Sequence, residues 1–201
     1  MVINDCSKDN TKEVCLRNGF NMVSLPINFG LTSAIQVGMK YAKQNDYDVA
    51  IQFDGDGQHD INSVKKLIDA LDDNYDLVIG SRYVDDSSSF KSTLSRRIGI
   101  KTISSLIKLL SGKRINDVTS GYRACNKKTI KYFAHSYPFD FPEPITNYAL
   151  LKKNFKVGET GVNMFERTGG KSSIRAFKSI YYMFNVCLSI ILFDYKKGER
   201  K

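Results

Sequence analysis

Short apolar runs alternate with longer segments of helical spacing along this chain. The apolar runs lie at residues 2–3, 20–25, 48–53 and 77–79, and their length predicts β-strands. Between them, apolar residues recur every three or four positions, which predicts helices with one buried face. This alternation is typical of an α/β sheet with covering helices. The helical segments are residues 31–43, with Ala34, Ile35, Gly38 and Ala42, and residues 61–71, with Ile61, Val64, Leu67, Ile68 and Leu71.

The composition is that of one globular domain. The chain has 201 residues, of which 42% are hydrophobic and 25% are charged, and a chain of this length buries about 70% of its unfolded surface. The sequence shows no internal repeat and no interdomain linker. The serine-rich stretch at residues 85–92 is too short for a linker and is expected to form a mobile loop over the site.

Charge and cysteine content limit the kind of protein this is. A formal net charge of +9 favours anionic partners such as nucleotide diphosphates, nucleic acid or an acidic membrane surface, without choosing among them. The four cysteines are scattered, with no C-x-x-C pair and no nearby histidine to complete a zinc site. They are expected to be reduced thiols in a cytosolic protein, and the first residues carry no signal-peptide pattern.

A pair of carboxylates directly after an apolar strand indicates a metal site. Asp54 and Asp56 follow the run at 48–53, and glycines lie between and after them. Alternate side chains of a strand point to one face, so the two carboxylates are expected to converge on one cation where the strand ends. With the amide oxygen of Gln58 they suit Mg²⁺ or Mn²⁺, which keep waters or substrate phosphates as further ligands. The alternative is a Gly/Asp turn after a buried strand.

Several motifs accompany this site in a fixed order, and together they resemble the family 2 glycosyltransferases of GT-A fold. The resemblance is to the branch that includes dolichol-phosphate mannose synthases and bacterial polyprenyl-phosphate glycosyltransferases. Six ordered motifs are far more specific than any one alone. The motifs are NDCSKDNT at residues 4–11, NFG at 28–30, DGDGQH at 54–59, GSRY at 80–83, DVTSGYR at 117–123 and RTGGKS at 167–172.

The resemblance implies a fold and a cofactor. The fold would be a mixed, mainly parallel, Rossmann-like sheet flanked by helices, with a glycosyltransferase domain at residues 1–173 and an amphipathic helix at residues 174–201. Asp54, Asp56 and Gln58 would hold Mg²⁺ or Mn²⁺ across the diphosphate of a nucleotide-sugar donor. The cation would neutralise charge on the departing diphosphate as the glycosidic bond breaks.

The resemblance also implies the residues that bind the nucleotide sugar. Asp5 would contact the base or ribose, and Asp54 would contact the donor beside the metal. Arg82, Arg96 and Lys171 would donate hydrogen bonds to the phosphates. The alternatives are that Arg82 is a surface ion-pair residue and that Arg96 caps the helix that follows it.

The need for a general base depends on the acceptor. A lipid phosphate is already ionised at neutral pH and attacks without losing a proton, whereas a sugar hydroxyl needs a positioned carboxylate. Asp117 and Glu143 are the candidates for this catalytic role. The alternative for Glu143 is a charge favoured at the N-terminus of a helix by the macrodipole.

The C-terminal segment is apolar, aromatic and basic at both ends. Residues 180–193 are too few to span a bilayer, which takes about 20 apolar residues. An interfacial helix with basic flanks fits the pattern, as does packing on the protein's own core or on a small membrane-protein partner. The flanking cations are Arg175, Lys178, Lys196, Lys197, Arg200 and Lys201.

Two departures from the family pattern are visible. In the family, a further strand and helix precede the strand that leads into the N-D-G-S motif, and here only Met1 precedes Val2. The sheet is therefore expected to show an open edge beside the strand at 48–53. Cys6 replaces the usual glycine, which is expected to strain that turn.

The predicted function is metal-dependent transfer of a sugar from a nucleotide-diphosphate sugar to a polyprenyl phosphate or cell-surface glycan precursor. The expected location is the cytoplasmic face of the membrane, and nucleic acid is not an expected partner. A sugar nucleotidyltransferase is a rival interpretation, but no glycine- and lysine-rich phosphate loop is present near the N-terminus. The other rival interpretation is a catalytically inactive domain that binds a partner.

Overall fold

The chain folds into two sheets covered by helices. The computed structural model describes residues 1–84, 93–138, 141–165 and 176–198, so the loop predicted at 85–92 lies outside the described residues. The strands are β1 (Val2–Asn4), β2 (Met22–Ser24), β3 (Val49–Gln52), β4 (Leu77–Ser81), β5 (Arg123–Asn126) and β6 (Val157–Gly161). The helices are α1 (Thr11–Arg17), α2 (Leu31–Gln44), α3 (Val64–Asp72), α4 (Leu94–Ser111), α5 (Lys127–His135), α6 (Pro142–Lys152) and α7 (Ala176–Gly198), with a 3₁₀ turn at Ile61–Ser63 before α3.

The pairing of the strands is mixed, as predicted. β1 and β2 pair in parallel, with Val2 opposite Met22. The larger sheet has the order β3-β5-β4-β6, in which β5 is antiparallel to both neighbours and β4 is parallel to β6. The predicted α/β class with flanking helices is confirmed, although the described strands form two sheets rather than one.

β3 is an edge strand of the larger sheet. It pairs with β5, with Gln52 directly opposite Arg123, and among the described strands none pairs with its other edge. All of β3 is half-buried, whereas β4 is buried throughout. The open edge expected beside this strand is therefore present.

Apolar side chains cover both faces of the larger sheet. Leu77 and Ile79 of β4 belong to one cluster, whereas Val78 between them packs with Leu67 and Leu71 of α3 in another. Successive side chains of a strand point to opposite faces, so a strand covered on both sides is apolar at each of these positions. This explains why the run at 77–79 shows no polar alternation.

The C-terminal helix α7 packs on the core through one of its faces. Val186 and Ile190 are 0% exposed and belong to the same cluster as Leu77 and Ile79. A side chain at Gly99 of α4 would collide with Met183, so these two helices approach closely there. No helix in the described ranges is long and apolar enough to cross a membrane. Of the alternatives for this segment, core packing is therefore present on one face, and the other face is exposed at Tyr181, Phe184, Leu188, Ile191 and Leu192.

Candidate functional site

The two carboxylates predicted to hold a cation lie in the turn that follows β3. The strand ends at Gln52, so Asp54 and Asp56 are turn residues and strand alternation does not direct their side chains. Both residues are half-buried. The expectation that the strand would continue to residue 53 is wrong at this end, and hydrogen bonds of the Asp54 backbone and the Asp56 carboxylate hold the turn instead.

His59 supports one end of this turn. Its Nδ1 accepts a hydrogen bond from the backbone N–H of Asp54 at 3.0 Å, so the proton of the neutral ring lies on Nε2, which is 3.9 Å from Asp54 Oδ2. The ring stacks on Tyr122 with centroids 4.5 Å apart. Burial lowers the pKa of His59, in spite of the nearby charges of Asp54 and Asp56, and keeps the ring neutral at pH 7.

Gln58 braces the other end of the turn. Its backbone N–H donates to Asp56 Oδ1 at 3.1 Å. Its side-chain Nε2 donates to the carbonyl of Phe165 at 3.4 Å, and the N–H of Phe165 donates back to the Gln58 carbonyl at 2.9 Å. Because the amide nitrogen is used in this way, the amide oxygen is the atom of this side chain that remains for a cation.

The chemistry of these ligands fits a cation that binds together with a diphosphate. Within the part of the chain that the structure describes, no group of three or more His, Cys, Asp or Glu side chains is placed to hold a metal. Two carboxylates and an amide oxygen are hard oxygen ligands that leave coordination positions open. Mg²⁺ and Mn²⁺ fill such positions with waters and substrate phosphates, which suits a shared rather than a permanent site.

Gly121 is the point at which three polar side chains from different elements converge. A Cβ atom on this residue would lie 3.1 Å from Gln52 Nε2, 3.3 Å from Asp54 Oδ2 and 3.8 Å from Glu143 Oε1. Burial raises the pKa of Glu143, the charge of Arg123 opposes that rise and Asp54 adds to it. Glu143 therefore lies close to the predicted metal ligand, at the first turn of α6.

Arg82 and Asp117 form a buried ion pair. Arg82 Nε donates to Asp117 Oδ2 and Nη2 donates to Oδ1, both at 2.7 Å, and the backbone N–H of Arg82 donates to Oδ2 at 3.1 Å. Asp117 is 0% exposed and Arg82 is 8% exposed. Burial alone would lower the pKa of Arg82, but the hydrogen bonds and charge of Asp117 raise it above its usual value. The geometry therefore favours Asp117 as the group that holds Arg82. Of the two candidates for a general base, Glu143 is the more accessible carboxylate, because it is half-buried whereas Asp117 is fully buried.

Glu159 of β6 holds the segment that carries Asp117. Its Oε1 accepts the backbone N–H of Asp117 at 2.8 Å, and its Oε2 accepts the backbone N–H of Asn116 at 2.7 Å. Thr119 adds a further contact, since its Oγ1 accepts from Arg82 Nη2 at 3.1 Å. The ion pair is thus fixed by the sheet on one side and by its own loop on the other.

The remaining predicted phosphate-binding residues are Arg96 and Lys171. Arg96 lies in the first turn of α4, and loss of solvent around its guanidinium together with the charge of Arg82 lowers its pKa. Two guanidinium groups therefore lie near each other at this end of α4. Lys171 and the motif at 167–172 lie outside the described residues.

Asp5 organises the loop that precedes α2. Its two carboxylate oxygens accept the backbone N–H groups of Phe29 and Gly30, each at 2.8 Å, and Asn28 Nδ2 donates to its carbonyl at 3.1 Å. The next residue, Cys6, has φ 56°, a left-handed conformation that favours glycine. The strain expected at this replacement of the family's glycine is therefore present.

Three residues of this region were not identified from the sequence: Gln52, Arg123 and Glu159. Gln52 is the polar residue of an otherwise apolar strand, and Arg123 ends the motif at 117–123. A polar residue in an apolar strand and an arginine at the end of a motif can both be seen in the sequence, but neither shows which side chain the residue contacts. Nothing local to Glu159 predicts that it binds backbone N–H groups on a distant loop.

A family model described as glycosyl transferase family 2 matches residues 1–133. The chain is 28% identical over 188 residues to an uncharacterized protein of Methanocaldococcus jannaschii, a match that covers 90% of this chain and 77% of that protein. It is 29% identical over 161 residues to the polyprenol monophosphomannose synthase of Mycolicibacterium smegmatis, which covers 78% of this chain. That match spans only 60% of the synthase's own length.

The fold is similar to that of a solved glycosyltransferase structure. Glucosyl-3-phosphoglycerate synthase from Mycobacterium tuberculosis, in complex with Mn²⁺ and uridine-diphosphate-glucose, superposes with a TM-score of 0.61 at 16% sequence identity. The superposition covers 93% of this chain and 67% of that chain. This likeness confirms the predicted fold class.

Proposed function

This chain belongs to glycosyl transferase family 2, and on that basis we propose that it transfers a sugar from a nucleotide-diphosphate sugar to a polyprenyl phosphate with the help of a divalent cation. The observation that carries the proposal is the braced turn after β3. It holds two carboxylates and an amide oxygen at Asp54, Asp56 and Gln58, which are ligands suited to a cation shared with a diphosphate.

The role proposed for each residue follows from the charges around this turn. The cation, when bound, supplies Lewis-acid stabilisation of the leaving diphosphate. Arg82 and Arg96 provide positive charge beside it, and Asp117 holds the guanidinium of Arg82 in a fixed orientation. Asp5 shapes the loop before α2, where the nucleotide is proposed to lie, and Lys171 is proposed to add a further cation for the phosphates.

A polyprenyl phosphate is the proposed acceptor because the synthase of Mycolicibacterium smegmatis, by its name, acts on a polyprenol. Such an acceptor needs no general base, since its phosphate is already ionised at neutral pH. Glu143 is the carboxylate near Asp54 that would serve a hydroxyl acceptor instead. The two kinds of acceptor therefore differ in their dependence on Glu143.

We also propose that the protein works at the cytoplasmic face of a membrane. A polyprenyl phosphate is a membrane lipid, and the outer face of α7 exposes an apolar stripe between basic flanking residues. Aromatic and apolar side chains with lysines and arginines at both ends suit an interface with anionic lipids. The stripe contains Tyr181, Phe184, Leu188, Ile191 and Leu192.

The decisive experiment has two parts. Calorimetric titration of the chain with UDP and with GDP, each with and without Mn²⁺, tests for metal-dependent nucleotide binding. Mass spectrometry of lipid-linked products, from membranes of cells that express the gene, identifies the sugar and the acceptor. Binding of neither nucleotide in the presence of Mn²⁺ would instead support an inactive domain that binds a partner.

A further inference from the structure

Arg123 is a buried cation whose described hydrogen bonds are to neutral groups. It is 1% exposed, and its guanidinium donates to Thr146 Oγ1 at 2.7 Å, Tyr137 Oη at 2.8 Å and Gln52 Oε1 at 2.9 Å. A buried charge is costly unless its surroundings compensate for it. The three acceptors come from α6, the loop after α5 and the end of β3, so this one side chain ties three elements together behind the candidate site.

The contact with Arg123 fixes the orientation of the Gln52 amide. A guanidinium has only donors, so the amide oxygen must face it and the amide nitrogen must face away. That nitrogen, Nε2, is buried and has no hydrogen-bond partner among the described residues. It faces the region beside Gly121, where Asp54 Oδ2 and Glu143 Oε1 also lie.

A buried donor without a partner costs free energy, because it has lost its hydrogen bonds to water. Such a group is therefore informative when it lies beside a candidate metal ligand. Gln52 and Asp54 are two residues apart at the end of β3, and Gln52 Nε2 and Asp54 Oδ2 both lie within 3.3 Å of the same point next to Gly121. Both atoms therefore border the same small space, in which an Asp54 carboxylate turned toward a cation would be able to accept from this N–H.

We propose that Gln52 is a positioning residue for the metal site, donating from Nε2 to the carboxylate of Asp54 when the cation binds, with Arg123 holding the amide in place. This inference rests on the proposed function, since it requires Asp54 to be a metal ligand. Carboxylates that ligate metals are oriented by outer hydrogen-bond donors, and loss of such a donor typically weakens metal binding by about 10–100-fold.

The test compares two variants that remove the same number of acceptors from Arg123. Gln52→Met removes the amide, with its acceptor for Arg123 and its donor beside Asp54, at similar side-chain length. Tyr137→Phe removes a different acceptor of the same guanidinium nitrogen and leaves the Gln52 amide intact. Both are expected to lower the melting temperature, because each leaves Arg123 one partner short.

The readout is the apparent Kd of Mn²⁺, measured by calorimetry on the chain saturated with UDP or GDP. Gln52→Met is expected to weaken Mn²⁺ binding by about 10–100-fold, whereas Tyr137→Phe is expected to stay within about two-fold of the unchanged protein. If Gln52→Met does not fold, Gln52→Asn retracts the same N–H by one methylene and is expected to weaken Mn²⁺ binding as well.

The outcomes separate the two proposals. If the unchanged protein binds neither nucleotide with Mn²⁺, the proposed function fails. If it does bind, and Gln52→Met and Gln52→Asn bind Mn²⁺ equally well, the role of Gln52 alone is overturned. Equal weakening in Tyr137→Phe would also overturn it, because the effect would then come from the disturbed packing of Arg123.

Discussion

Arg82 reaches Asp117 with two guanidinium nitrogens, each 2.7 Å from a different carboxylate oxygen. The sequence assigned these residues separate roles, one toward phosphates and one toward the acceptor. In the folded protein they form a single buried unit. A guanidinium held by two parallel hydrogen bonds keeps a fixed direction, which suits a positive charge placed beside a diphosphate.

Asp117→Asn should destabilise the protein. Breaking a buried ion pair leaves an uncompensated charge and costs about 3–5 kcal/mol, toward the lower end here because asparagine retains one acceptor. Urea denaturation measures the loss. Asp69→Asn is the matched control, because the Lys65–Asp69 pair is solvent-exposed and is worth less than about 1 kcal/mol. Similar small losses in both variants would contradict a stabilising role for the buried pair.

Asp56→Asn should abolish Mn²⁺-dependent nucleotide binding and leave the fold intact. The change removes a ligand charge without altering the volume of a half-buried turn residue. Calorimetry with UDP and GDP measures binding, and circular dichroism checks the fold. Asp73→Asn, at the exposed end of α3, serves as the control and should bind like the unchanged protein. Unaltered metal-dependent affinity in Asp56→Asn would refute the assignment.

Glu143→Gln should distinguish the two kinds of acceptor. An ionised lipid phosphate has no proton to give up, so transfer to a polyprenyl phosphate should change by only a few fold. Transfer to a hydroxyl acceptor should fall by about 10²–10⁴-fold, the usual contribution of a general base. Rates of lipid-linked product formation, measured in membranes with each variant, decide between them. A fall in the transfer rate of about 10²–10⁴-fold with a lipid phosphate as acceptor would mean that Glu143 has a role other than general base.

Two adjacent isoleucines of α7 should behave differently. Ile190 is 0% exposed and Ile191 is 51% exposed. Ile190→Ala should lower the free energy of unfolding by about 2–5 kcal/mol, because it leaves a cavity in the core, and Ile191→Ala by less than about 1 kcal/mol. Thermal and urea unfolding measure both. Equal effects would show that α7 does not pack in the described orientation.

The same face of α7 tests the proposed membrane contact. Phe184→Ala combined with Ile191→Ala should weaken sedimentation with phosphatidylglycerol vesicles at least about tenfold, since each side chain contributes roughly 1.5–3 kcal/mol when it is fully buried. Phosphatidylcholine vesicles should bind the unchanged protein more weakly, because the basic flanks then lack anionic headgroups. Equal vesicle binding by both proteins would contradict the interfacial role.

Ionisation of Asp76 should make the free energy of unfolding depend on pH. It is 8% exposed and accepts from Lys128 Nζ at 2.8 Å, the N–H of Lys156 at 2.9 Å and Asn126 Nδ2 at 3.0 Å. Burial alone would raise the pKa of Asp76, but these hydrogen bonds lower it. Because the pKa is lower in the folded state, ionised Asp76 stabilises the fold at pH values above its pKa in the unfolded chain, about 4. This stabilisation is lost as the pH falls through the pKa of Asp76 in the folded protein.

Asp76→Asn should therefore cost about 2 kcal/mol at pH 7, and the difference from the unchanged protein should shrink as the pH falls below about 4. Denaturation at a series of pH values measures it. A difference that stays constant between pH 7 and pH 3 would show that ionisation of Asp76 does not stabilise the fold.

Features that depend on neighbouring residues could be predicted from the amino-acid sequence. Apolar spacing predicted α2 and α3 closely, and the run at 77–79 lies within β4. The same holds for the strain at Cys6, because the family's glycine at this turn signals a left-handed backbone that a cysteine must also adopt. The DGDGQH motif likewise identified the turn after β3 as the candidate site, since its ligands lie within five residues.

The polar groups that meet across the sheet could not be predicted in this way and are known from the folded chain. Arg82 and Asp117 are 35 residues apart, and Gln52 and Arg123 are 71 residues apart. Such contacts depend on strand order and register, because β5 inserts between β3 and β4 and places Arg123 opposite Gln52. The apolar pattern fixes which face of a strand is buried but not which strand lies beside it. The partners of buried charges are therefore set by topology, whereas the turn chemistry is set by local sequence.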